Sequence, residues 1–258
     1  MEVFRIFAGV FGLLIGSFLN AVIYRMPREI SIGAPRSKCP HCQNIIKWYQ
    51  NVPVFSFLFL RGKCGSCRKK ISWRYPMIEI ITAILSYGIF PETINQTSLI
   101  YYFFFFSIFC CFLVHFFIDL DFQILPDSIN LYLAAVFLAF AIFHHPWKFY
   151  VFGSLLGFGF PLAITWIFYK IRGQVGLGGG DIKLWGALGI YLGMIGVIQN
   201  IFLSCMLGSI VGIGLMIIGK MKREQPMPFG PFIIVVSFFQ IFFPDTYQIF
   251  FNNWLSFR

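Results

Sequence analysis

Phe117–Asp127, FIDLDFQILPD, places three carboxylates, Asp119, Asp121 and Asp127, directly after the apolar run Leu99–Ile118. That run is long enough to cross a bilayer, which takes about 20 residues of helix. A carboxylate beside hydrocarbon is costly to keep, and a chain that keeps one generally uses it. A fourth, Asp181, closes the glycine run Gly178-Gly179-Gly180 just ahead of another apolar segment. The chain holds five Asp and five Glu, so four of the five Asp fall in two short loops, which we read as one acidic site.

The rest of the composition agrees with a chain built for lipid. Of 258 residues 58% are hydrophobic and 12% charged, where soluble domains carry about 25% charged residues. The expected fold is therefore an all-α polytopic membrane protein. A net charge of +10 raises the question of nucleic acid or acidic lipid. The placement of the charge answers it, because 11 of the 20 Lys and Arg lie between Arg25 and Arg74. Six more are Lys170, Arg172, Lys183, Lys220, Lys222 and Arg223. Basic residues gathered in three loops are the positive-inside signature, which sets topology. The partner expected from this pattern is the bilayer, with no nucleic acid.

Taken in order, Ile6–Ile23 is the first span, with the N-terminus outside and the basic 25–74 loop in the cytoplasm. Met77–Phe90 is a short return segment, and Leu99–Ile118 delivers Asp119 to the cytoplasmic face. Ser128–Phe143 and Phe149–Tyr169 follow, then Leu184–Ile198 and Ile201–Gly219 as a hairpin around Gln199-Asn200, and Pro231–Phe243 as a last short span. That makes about eight transmembrane helices, with every basic and acidic loop on one face.

Cys39-Pro40-His41-Cys42 and Cys64-Gly65-Ser66-Cys67 are two C-x-x-C turns with 21 residues between them. Four thiolates from two tight turns suit tetrahedral Zn²⁺ in a closed, structural site. The alternative of two disulfides fits a reducing cytoplasm poorly. His41 reads as a surface residue rather than a fifth ligand, and Cys110, Cys111 and Cys205 as core residues of apolar segments.

The acidic residues admit three readings on their chemistry alone: a proton or cation path, a structural pair at helix ends, or an aspartyl protease dyad. In a dyad, like charges a few ångströms apart cannot both ionise, so one carboxyl keeps a proton while the other activates water. The three glycines before Asp181 favour a site that a peptide backbone can approach.

The chain resembles the type IV prepilin peptidases, the prepilin leader peptidase/N-methyltransferases. The resemblance rests on GSFLNAVIYRMP at Gly16–Pro27, the two Cys turns, RYPMIE at Arg74–Glu79, IDLDFQILPD at Ile118–Asp127, GLGGGDIKL at Gly176–Leu184 and PFGPF at Pro228–Phe232. It implies an enzyme of the bacterial inner membrane that cuts basic leaders from prepilin and pseudopilin precursors on the cytoplasmic side. It further implies N-methylation of the new terminus with S-adenosylmethionine. Carried over by motif, the catalytic pair is Asp119 and Asp181, and the zinc ligands are Cys39, Cys42, Cys64 and Cys67. The expected organisation is 1–24 as first span, 25–75 as zinc-bearing cytoplasmic loop and 76–258 as membrane-embedded peptidase. The rival from another class is a membrane transporter or scaffold whose acidic loops bind cations.

Helix-end charge favours the shared proton on Asp119, after a helix C-terminus, and the anion on Asp181, at a helix start. Asp127 reads as the N-cap of the next helix rather than a contact for a basic leader. Glu79 reads as the partner of Arg74, and Gly62-Lys63 as a candidate contact for the methyl donor. His115, one turn before Asp119, reads as a core histidine. No H-E-x-x-H occurs, which excludes a zincin-type site.

Overall fold

A computed structural model describes residues 1–34, 36–174, 176–222 and 226–256, with backbone only at 250 and 252–256. Arg223, counted above among the loop cations, lies outside the described residues. Among those residues the chain forms nine α-helices and no named strand. They are α1 Glu2–Arg25, α2 Phe55–Phe59, α3 Arg74–Gly88, α4 Gln96–Phe122, α5 Asp127–His144, α6 Trp147–Arg172, α7 Gly179–Ile217, α8 Gly230–Phe242 and α9 Pro244–Ser256. Five of them, α1 and α4 to α7, are long and apolar enough to cross a membrane. The all-α membrane fold stands. The α9 helix had no counterpart in the hydropathy reading.

The chain divides into two compact units, Met1–Val114 and His115–Arg258. In the first, α1 packs on α3 through small residues. A Cβ on Gly12 would meet Ala83 Cα at 2.7 Å, and one on Gly16 would meet Glu79 Cα at 2.7 Å. Helices that lack a hydrophobic drive to associate in lipid gain contact this way, by bringing backbones together. The Ser86 hydroxyl donates to the Ala8 carbonyl at 2.6 Å and shares a 2.7 Å hydrogen bond with Tyr102, which ties α1, α3 and α4 together.

In the second unit α7 is the element on which α5, α6 and α8 pack. It is not straight. The Trp185 indole N–H donates to Asn200 Oδ1 at 2.9 Å, whereas 15 residues of unbroken helix would separate these positions by about 22 Å. The chain folds back at Gly193, whose φ of 67° and ψ of −174° are open to glycine and costly for other residues. The expected hairpin is therefore present, but its turn is Gly193 rather than Gln199-Asn200. Asn200 is fully buried; beyond accepting from Trp185 across the two arms, it donates to Ser237 Oγ at 2.9 Å and Gln240 Oε1 at 2.7 Å, which ties the hairpin to α8. A polar pair in an apolar run had looked like a solvated tip, and it is a buried hydrogen-bonded joint.

Gly193→Val should be strongly damaging. It combines a strained positive φ with a Cβ that would run into the Phe149 ring. We expect a loss of about 3 kcal/mol or more, read as a fall in the yield of folded protein after mild detergent extraction.

Candidate functional site

Asp119 and Asp181 both belong to the second unit, and helices rather than loops carry them. The α4 helix runs to Phe122, so Asp119 lies inside its last turn, while Asp181 lies in the first turn of α7. Both are buried, at 4% and 8% exposure. They are close enough for the charge of Asp119 to act on Asp181. Leu125 lies between the elements that hold them. A Cβ on Gly180 would meet Leu125 Cβ at 2.8 Å, and one on Gly230 would meet Leu125 Cδ2 at 3.1 Å.

The PFGPF stretch, Pro228–Phe232, carries no chemistry legible from its residue types. In the structure the Gly230 N–H, at the start of α8, donates to Asp119 Oδ2 at 2.9 Å. A donor at a helix N-terminus stabilises an anion. Asp119 thus sits at the C-terminus of one helix and against the N-terminus of another, and the helix-end argument for a proton on Asp119 loses its basis. Asp181 Oδ1 is buried with no hydrogen-bond partner in the structure. Each carboxylate has one oxygen in a polar contact of its own, and Asp181 keeps one uncommitted.

Asn130 is a second residue the sequence did not reveal. It is buried in α5 and its amide donates to the Gly180 carbonyl at 3.3 Å, which steadies the glycine run before Asp181. His115 is fully buried, and the Asn130 side chain is close enough to act on its ring. Neither ring nitrogen makes a hydrogen bond of good geometry, so His115 remains a core residue. Asp127 does not cap α5, because Pro126 holds the cap position and no side-chain cap bond forms. It receives Lys183 Nζ on both carboxylate oxygens at 2.7 Å. Asp121 is exposed in the last turn of α4.

In the first unit the four cysteines converge. The Sγ atoms of Cys39, Cys42, Cys64 and Cys67 all lie within 4.8 Å of one another, and Cys39 and Cys67 are 3.9 Å apart. Tetrahedral Zn²⁺ with Zn–S bonds of about 2.3 Å asks for sulfur–sulfur edges of about 3.8 Å, so the donor set fits. A disulfide needs about 2.05 Å, and all seven cysteines are free. The two turns repeat one geometry. Cys39 N–H donates to Asn44 O and Cys64 N–H to Lys69 O; Gln43 and Arg68, the residues after each second cysteine, have φ near 60°. The N–H groups of Cys67 and Ser66 pull the Cys64 thiol down to about 6. At Cys42 the Asn44 N–H acts the same way, but desolvation and the three neighbouring thiols outweigh it and hold the thiol at about 11. His41 is exposed and outside the cluster. Cys205 is exposed on α7 rather than in the core.

Glu79 does not pair with Arg74. It is buried in α3 and accepts the Val54 N–H at 2.7 Å.

Fold and sites together define a polytopic helical membrane protein with a four-thiolate module and a buried carboxylate pair. Residues 10–92 match the family model of the bacterial peptidase A24 N-terminal domain, and residues 103–213 match that of the type IV leader peptidase family. A protein of Aeromonas hydrophila named prepilin leader peptidase/N-methyltransferase is 32% identical over 92% of this chain and 90% of its own length. Proteins of the same name from Neisseria gonorrhoeae and Burkholderia pseudomallei are 33% and 32% identical over 96% and 94% of this chain. The chain belongs to the type IV leader peptidase family. No solved structure matches it significantly.

Proposed function

We propose that this protein cleaves the basic leaders of prepilin-type precursors with Asp119 and Asp181, and methylates the new N-terminus with S-adenosylmethionine. The observation that carries the reading is the buried carboxylate pair, held at the ends of α4 and α7 in a chain of this family. The names of the relatives support both activities. In this reading the pair faces the cytoplasm from the bacterial inner membrane, which the clustering of Lys and Arg in the loops supports. The cysteine module holds structural Zn²⁺ within the 25–75 loop, which the convergence of its four sulfurs supports.

The geometry suits water-driven peptide hydrolysis. One carboxylate takes a proton from water as its oxygen attacks the scissile carbonyl, while the protonated partner donates to the carbonyl oxygen. Collapse of the tetrahedral intermediate breaks the C–N bond, with a proton delivered to the leaving nitrogen. The free Oδ1 of Asp181 is the oxygen available to reach the water, and Asp119 is oriented by Gly230. The pair titrates as a unit.

Membranes containing the protein, a model prepilin and S-adenosylmethionine should yield a product shortened by the leader and heavier by one methyl group. Intact precursor beside ion flux in liposomes would favour the transporter reading instead. Gly230→Ala should lower cleavage about 10²-fold, because its Cβ would press to 2.9 Å from Asp119 Oδ2. Initial rates at matched protein levels read this out.

A further inference from the structure

The first unit contains a cavity of about 480 Å³ bounded by α1, the start of α3 and the two cysteine turns. Its size is that of a small-molecule site, and the cleavage chemistry assigned above uses none of its residues. Glu79, 7% exposed, lines it. The carboxylate accepts the Val54 N–H and faces the Ser17 hydroxyl, and no cation pairs with it among the described residues. A buried anion held by neutral donors alone is costly, and a cation entering the cavity would relieve that cost. Tyr24, Phe57 and Tyr75 line the same space, and aromatic rings beside an onium centre favour it; the Tyr24 ring already carries a cation, the Arg28 guanidinium, at 4.1 Å. Arg36 and Lys70, also on the lining, offer positive charge for a carboxylate.

A ligand with an onium centre, a carboxylate and a flat heterocycle matches this lining. We propose that the cavity binds S-adenosylmethionine with its sulfonium facing Glu79. The inference rests on the methyl-transfer reading above and gives that reading a place. Gly62 and Lys63, the contact expected from sequence, border a separate hollow beside Trp73. In the transfer the substrate amine, having lost a proton to water, attacks the methyl carbon. The N–C bond forms as the C–S bond breaks, its electrons pass to sulfur, and the positive charge passes to the nitrogen. Glu79 therefore has a cation beside it before and after the step.

The test is equilibrium binding of S-adenosylmethionine and of S-adenosylhomocysteine, its neutral thioether, to the full chain in nanodiscs. Wild type should prefer the sulfonium by about tenfold or more. Glu79→Gln should remove that preference while keeping thioether affinity. Ala21→Phe, which fills the cavity, should abolish binding of both. Prepilin cleavage by both variants reports that they are folded. An unchanged preference in Glu79→Gln, or undiminished binding in Ala21→Phe, overturns the inference even where wild type methylates its product. Absence of methylation in wild type overturns the broader reading instead.

Discussion

Asp119→Asn and Asp181→Asn are each expected to lower leader cleavage by about 10³-fold or more, with insertion and expression near wild type. Each change keeps the size of the side chain, so the packing around Leu125 survives. What is lost is the sharing of one proton between two acids. An amide can neither take a proton from water nor donate one as an acid. The double variant should be no slower than either single one, since the two act as one unit. The measurement is initial cleavage rate in membranes, with the amount of folded enzyme set by antibody. Cleavage at wild-type rate by either variant would remove that residue from the mechanism.

The second large effect concerns the cysteine module. Cys39→Ser, or Cys64→Ser, should reduce bound zinc from one ion per chain to close to none. The folding free energy at stake is on the order of 10 kcal/mol in small zinc modules. The two short bridges, Lys38 to Ile45 and Lys63 to Lys70, are all the sheet pairing described in this loop. Without metal the loop should become the first site of proteolysis. Metal analysis of the purified protein, followed by limited digestion, reads both effects. The pH dependence has a definite sign. Cys42, held at about 11, is protonated at neutral pH and must give up that proton to bind metal. Zinc affinity should therefore fall as pH falls, and zinc uptake near pH 7 should release protons to a dye.

Much of this was legible in the chain. Apolar runs bounded by cations marked the spans, and Asp119, Asp181 and the cysteines stood out because their types are rare or their spacing is regular. The residues that organise the acidic pair were not legible, for physical reasons. Gly230 acts through its backbone N–H, which every residue but proline carries. Asn130 acts on Gly180 from another helix, and nothing in its own neighbourhood shows that. Asn200 beside Gln199 was read as a polar tip because a sequence shows polarity but not what covers it. Glu79 and Arg74 lie five residues apart, a spacing that does not bring side chains together on a helix, and the bond to Val54 crosses to a loop.

The turn at Gly193 bears on how the protein is made. If straight, the 39 residues of α7 would extend about 58 Å, nearly twice the hydrocarbon thickness. No charged residue divides this stretch between Lys183 and Ile217, so the insertion machinery meets no stop signal at the point where the chain must reverse. The two arms then have to enter the bilayer as a pair rather than in succession. The Trp185–Asn200 hydrogen bond, which only the closed pair can make, is suited to holding them together on the way in.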